Sequence, residues 1–186
     1  MAMQYRPITA PSGQNRPCFL KIFIMATSAF IVIGIFCALA LNVWSYPLHA
    51  SCQVKWYFKG ECEGVQISLV SQIKKWTSPD NCKDGGQKCL YTLLSNTANE
   101  VTATHTTPKK HYVDDLTFEF SFQNSTCLLH GKSRSKTWYA VLDYGTNYCN
   151  MHNLITGAGL DKRPGYKEET SNSVCTQYSS ANCKVY

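Results

Sequence analysis

The stretch YVDDLTFEFSF, from Tyr112 to Phe122, decides the fold. Leu116, Phe118, Phe120 and Phe122 occupy every second position, with Thr117, Glu119 and Ser121 between them. A period of two puts the apolar set on one face of a β-strand, whereas a helix would scatter it around its axis. The same alternation sends Asp114 and Asp115 to opposite faces, Asp114 joining Leu116 and Phe118.

Working outward, the neighbours also favour strands. KCLYTLL (88–94) and EVTATHTT (100–107) are rich in β-formers, with SNTAN between them and TPKKHY before the central strand. On the other side QNST reads as a turn and CLLHGKS (127–133) as the returning strand. TWYAVLDYG (137–145) reads as a further strand covered on both sides, because Trp138, Ala140 and Leu142 alternate with Tyr139 and Val141. SVCTQYS (173–179) is a candidate to close the sheet.

Helical periodicity appears twice. In GVQISLVSQIKKW, Val65, Leu69, Ile73 and Trp76 form one stripe, and the turn-rich TSPDNCKDGG ends it. Thr146 is placed to cap a shorter helix with Tyr148, Met151 and Ile155 on one side and Gly157 at its end. The expected fold class is α+β: an antiparallel β-meander of five or six strands, one main amphipathic helix packed on it, and a short second helix. This order, helix then meander, is broadly similar to the cystatin arrangement. No QxVxG-like inhibitory loop is present, so the resemblance implies nothing about function.

Eight of the ten cysteines, Cys52, Cys62, Cys82, Cys89, Cys127, Cys149, Cys175 and Cys183, follow residue 50. No CxxC or Cys/His knuckle spacing occurs among them, so they read as up to four disulfides made in an oxidising compartment rather than as zinc ligands. The close pairs Cys52–Cys62, Cys82–Cys89 and Cys175–Cys183 are the natural candidates on spacing.

The compartment follows from the N-terminal part. Ile22 to Val43 is a run of 22 residues without a charge, enough to cross a bilayer as a helix and longer than the apolar core of a cleavable signal. Ala38-Leu39-Ala40, the best small-x-small site, lies inside the run, and a second site ending at Ala50 has Leu48 where a small residue is wanted. Trp44 and Tyr46 suit the interfacial belt. Arg6, Arg16 and Lys21 precede the run and no basic residue follows until Lys55, which places the N-terminus in the cytosol. The expected organisation is a disordered tail (1–21), a transmembrane signal-anchor helix (22–44), a short linker (45–50) and an extracellular or lumenal disulfide-rich domain (51–186). In the tail, Tyr5-Arg6-Pro7-Ile8 matches a tyrosine-based sorting signal, and Cys18 is placed for palmitoylation. Asn124-Ser125-Thr126 is an N-glycosylation sequon.

The formal charge is +6; beyond the run, 15 basic and 12 acidic residues leave about +3, dispersed without a basic stripe. That argues against nucleic acid as a partner. No GxSxG elbow or glycine-rich phosphate loop appears, so catalytic residues, metal ligands and cofactors are not expected. Three places carry candidate binding residues. KWYFKG presents Trp56, Tyr57 and Phe58 either as a partner- or headgroup-contacting patch or as a core-packed strand. THTTPKKHYVDD brings His105 near Asp115, a pairing that would serve a metal-dependent lumenal enzyme; a plain polar hairpin is the alternative. DYGTNYCNMHN offers Tyr144 and Asn147 at a strand-to-helix junction able to hold a polar ligand. The leading expectation is a non-enzymatic recognition module on a type II membrane protein, its partner an extracellular or lumenal protein or small ligand. A secreted small-ligand or lipid carrier, with a pocket lined by the Phe118–Phe122 face, is the alternative.

Overall fold

The computed structural model describes residues 31–35 and 47–186. Contacts divide the chain into two compact units, 1–43 and 44–186, and residues 31–35 of the first are helical. Among the described residues no helix is long and apolar enough to cross a membrane. Apart from 31–35, the span expected over 22–44 lies outside the described residues, as do Tyr5, Ile8 and Cys18.

The second unit is α+β. Strand β1 (Ser51–Lys59) leads into helix α1 (Glu63–Lys75), followed by β2 (Tyr91–Asn96), β3 (Glu100–Thr106), β4 (Val113–Gln123) and β5 (Thr126–Ser135). Helix α2 (Thr146–Gly157) and a three-residue β6 (Lys167–Glu169) complete it. The six-stranded sheet has the order β2-β3-β4-β5-β1-β6, antiparallel throughout. The meander from β2 to β5 is the expected one. β1 then lies beside β5, because α1 carries the chain from β1 back across the sheet to its far edge.

Both helices cover one face. Val54, Trp56 and Phe58 of β1 pack with Val101 and Ala103 of β3, Leu116 and Phe118 of β4, and Leu129 of β5. Val65, Leu69 and Ile73 of α1 and Met151, Leu154 and Ile155 of α2 close over them. The period-two pattern of YVDDLTFEFSF is thereby explained in part: Leu116, Phe118 and Phe120 are buried under the helices, Asp115 and Ser121 face solvent, and Phe122 near the strand's end is 47% exposed. Gly131 of β5 is required by this packing, since a Cβ there would stand 2.6 Å from the Trp56 ring. Asn124 and Ser125 make the tight turn between β4 and β5, both at positive φ (50° and 58°), with Gln123 and Thr126 paired across it.

Four disulfides brace the unit: Cys52–Cys175, Cys62–Cys127, Cys82–Cys89 and Cys149–Cys183. Of the pairs expected from spacing only Cys82–Cys89 is present. Cys52 is the second residue of β1 and Cys62 lies three residues beyond its end, so the extended strand from Cys52 to Lys59 alone covers roughly 23 Å, far beyond the reach of a disulfide. Cys175 and Cys183 instead clip the C-terminal segment to β1 and to α2.

Two expected strands are corrected. Residues 137–145 form an exposed strap, with Trp138 85%, Tyr139 62% and Leu142 62% accessible. β5 ends at Ser135, and the edge that a following strand would join is already occupied by β1. SVCTQYS holds only a single bridge, Cys52 to Cys175, and then a 3-10 turn (Tyr178–Ser180). The closing strand is β6, a short charged segment, KEE, with no apolar alternation to announce it.

Candidate binding cleft

Helix α2 opens where the strap ends, and this junction builds the floor of a cleft. Asp143, not Thr146, caps the helix. Its Oδ1 accepts from the Gly145 amide (3.0 Å) and its Oδ2 from the Asn147 amide (3.0 Å) and side chain (2.7 Å). A carboxylate suits the positive end of a helix. On the same helix, Asn147, Asn150 and Asn153 recur every third residue and all are buried. Asn147 accepts from Ser133 Oγ of β5 (2.6 Å), Asn150 donates to Asp114 Oδ2 of β4 (2.7 Å), and Asn153 donates to the Tyr186 carbonyl (2.8 Å). This amide ladder fastens α2 to the sheet and to the C-terminal segment.

The cleft above this floor has a volume of about 880 Å³. Asp114, Ser135, Asp143 and Asn147 lie at its base, and Pro108, Tyr112, Tyr139, Val141, Leu142 and Val185 supply apolar walls. Lys109, Lys110 and Lys184 stand on its rim. Burial raises the pKa of Asp114, against the lowering effect of the Asn150 hydrogen bond, and burial likewise raises Asp143 against the Asn147 bonds. A mostly apolar hollow with a few hydrogen-bonding groups at one end is the usual chemistry of a small-molecule site.

The strap is held in an unusual conformation. Tyr144 and Gly145 both have positive φ (56° and 77°), and Gln177, itself at 52°, accepts from the Asp143 amide (3.0 Å) and the Tyr144 amide (2.7 Å). Left-handed backbone at a non-glycine residue persists where its surroundings enforce it, and such places gather at binding sites.

Of the residues singled out in the sequence, Tyr144 (66% exposed) and Asn147 meet at this junction. His105 does not join Asp115. The register sets His105 opposite Asp114 and sends Asp115 to the outer face, where it pairs with Lys136 at 3.1 Å. His105 is fully buried, packed at a tilt against Tyr91 with ring centroids 4.5 Å apart and bonded through Nε2 to the Gln87 carbonyl at 2.8 Å. Burial holds its pKa down at about 4. Trp56 and Phe58 belong to the core and Tyr57 points to the outer face, so KWYFKG is a strand and not a surface patch. Phe118 and Phe120 are likewise core, and the cleft is lined by none of the Phe118–Phe122 face. Asp143, Asn150 and the strap's apolar side chains were not singled out as site residues, whereas Asp114 was expected on the apolar face of its strand, where it lies buried. The i, i+3, i+6 asparagines were the one available signal, since a helix face lined with amides must be satisfied from outside itself.

A second polar cluster has a different character. Glu168 of β6 accepts from Trp56 Nε1 (2.7 Å), Tyr148 Oη (2.7 Å) and Tyr166 Oη (3.2 Å), and its Oε2 pairs with His152 Nδ1 at 3.2 Å. Burial opposes its ionisation, but the hydrogen bonds from His152, Tyr148 and Trp56 prevail and hold the pKa at about 2. Three of these partners converge on Oε2 and one on Oε1. The cluster locks β6 to α2.

Comparison of the chain with family models, with curated proteins and with solved structures gives no match in any of the three. The functional reading therefore rests on the cleft.

Proposed function

We propose that residues 51–186 are the extracytoplasmic, non-enzymatic binding domain of a single-pass type II membrane protein, and that the cleft takes an amphipathic small molecule. The observation that carries this reading is the cleft itself, with apolar walls, buried carboxyl and amide groups at the base, and a lysine rim. The ligand's apolar body lies against Tyr139, Val141 and Leu142, and an anionic end meets Lys109, Lys110 or Lys184. The four disulfides support an oxidising compartment. The 22 charge-free residues from Ile22 and the three basic residues before them support the tether and its orientation. The exposed turn at Asn124 supports glycosylation, since a hairpin tip gives a transferase free access.

The separation of His105 from Asp115 by the thickness of the sheet speaks against a metal-dependent enzyme built on that pair. The secreted-carrier reading uses the same cleft and differs only in whether residues 22–43 are retained. The mature N-terminus of the protein from a secretory cell distinguishes the two.

The binding test is displacement of cis-parinaric acid, followed by fluorescence, on the full chain in nanodiscs. Saturable binding is expected, with Val141→Asp and Leu142→Asp weakening it at least tenfold while the circular dichroism stays unchanged. Affinity unaltered by both variants, or no saturable binding by the wild type, overturns the assignment.

A further inference from the structure

The apolar side chains that wall the cleft extend beyond it. Leu48 is 84% exposed and Trp138 85%, and with Tyr139, Val141 and Leu142 they form one apolar stretch on two chain segments. Trp138 and Tyr139 pack edge to face on each other, their centroids 5.3 Å apart. Backbone hydrogen bonds bind the two segments together: the Ala50 amide donates to the Ala140 carbonyl (2.9 Å), and the Ser135 amide to the Ala50 carbonyl (3.1 Å). His49 Nε2 also reaches the Ser135 carbonyl at 2.8 Å. The strap is thus tied to the point where the folded domain begins.

Chain length says what lies near that point. The apolar run ends at Val43, seven residues before Ala50. Even fully extended, seven residues span about 25 Å. We propose that the Leu48–strap surface docks on the bilayer, seating the mouth of the cleft at the lipid–water interface. This rests on the tether proposed above. Its chemistry suits that place: tryptophan and tyrosine prefer the headgroup level, leucine and valine the acyl chains, and rim lysines reach lipid phosphates along their own methylenes. A second copy of the chain is a poorer occupant, because it would bring two lysine rims, Lys109, Lys110 and Lys184 of each copy, into one contact. A cleft opening onto lipid would draw its amphipathic ligand from the bilayer.

The test uses the full chain reconstituted in phosphatidylcholine vesicles, with and without brominated phosphatidylcholine. Subtracting the tryptophan emission of Trp138→Phe from that of the wild type isolates Trp138, since Trp44, Trp56 and Trp76 are common to both. The expected Trp138 component is blue-shifted, largely lost in brominated lipid and insensitive to aqueous iodide. A component quenched by iodide but not by brominated lipid overturns the proposal. So does one shielded from both, which would assign the strap to a protein contact. Intact mass on the same sample reports separately on the tether. If residues 22–43 are absent the tether fails, and flotation of the secreted form with the same vesicles decides the surface: loss of flotation in Trp138→Ala/Leu142→Ala upholds it, and no flotation of the wild type ends it.

Discussion

At Gly131 the absence of a side chain is what lets a tryptophan lie across the sheet. Gly131→Ala would put a methyl 2.6 Å from Trp56 and 3.0 Å from the Met151 sulfur, both fixed in the core. A loss of about 1–3 kcal/mol is expected, read as a shift in the denaturation midpoint at constant slope. His105 makes a prediction of another kind. Its pKa falls from 6.5 in the unfolded chain to about 4 in the fold, so acid protonates the unfolded chain first. The stability it allows is complete above about pH 6.5 and drains away as the pH falls toward 4, a change on the order of 3 kcal/mol. Glu168, depressed from 4.5 to about 2, gives up its contribution in a lower window between those values. Asp114 and Asp143, raised by burial, act in the opposite sense, their penalty easing as they take up protons. Denaturation midpoints at pH 7.5 and pH 5 should therefore differ in the wild type and converge in His105→Gln. An unchanged difference in that variant would show that the histidine does not govern it.

Among the elements, the strap depends on one side chain outside it. Gln177→Ala removes the acceptor of the Asp143 and Tyr144 amides, leaving a left-handed residue without its restraint. Hydrogen exchange of residues 138–145 should accelerate at least tenfold, with that of β4 unaltered; a uniform rise would mean global destabilisation instead. The strap also shows where sequence reading stops. β4 was legible because it has one wet face and one dry face, and a period of two records that difference directly, whereas β2 and β3 were read from their β-forming residues. α1 was legible from the stripe of Val65, Leu69, Ile73 and Trp76, and the span of α2 from Thr146 and Gly157 at its ends. Apolar residues on both sides of residues 138–142 signify burial only if a sheet edge is free to receive them, and edge occupancy is a property of topology. β6 was illegible for the converse reason: three charged residues pair with β1 because the chain is brought there by Cys175 and by Glu168. At the cleft, Tyr144 and Asn147 were readable as a polar junction. Asp114 was readable as a carboxylate on an apolar strand face, but Asp143 was not, because a buried carboxylate outside a periodic element becomes recognisable only through its partners.

The whole unit is held by long-range covalent closure more than by local connection. Cys149–Cys183 closes a segment of 34 residues and holds Lys184, Val185 and Tyr186 against the cleft. Replacing both cysteines with serine should lower stability by roughly 4 kcal/mol on loop-closure entropy, and should release the Asn153–Tyr186 hydrogen bond. Thermal melts report the first and exchange of the C-terminal amides the second; an unchanged melt would mean that the amide ladder alone suffices. Cys52–Cys175 spans 123 residues, nearly the full domain, and overlaps the Cys149–Cys183 closure. Any single backbone cut between Cys52 and Cys183 therefore leaves both halves joined through sulfur. A protease that nicked the exposed strap would yield no free fragment, and the break would stay invisible until the disulfides were reduced. In a domain braced this way, attack at the exposed strap leaves the molecule in one piece.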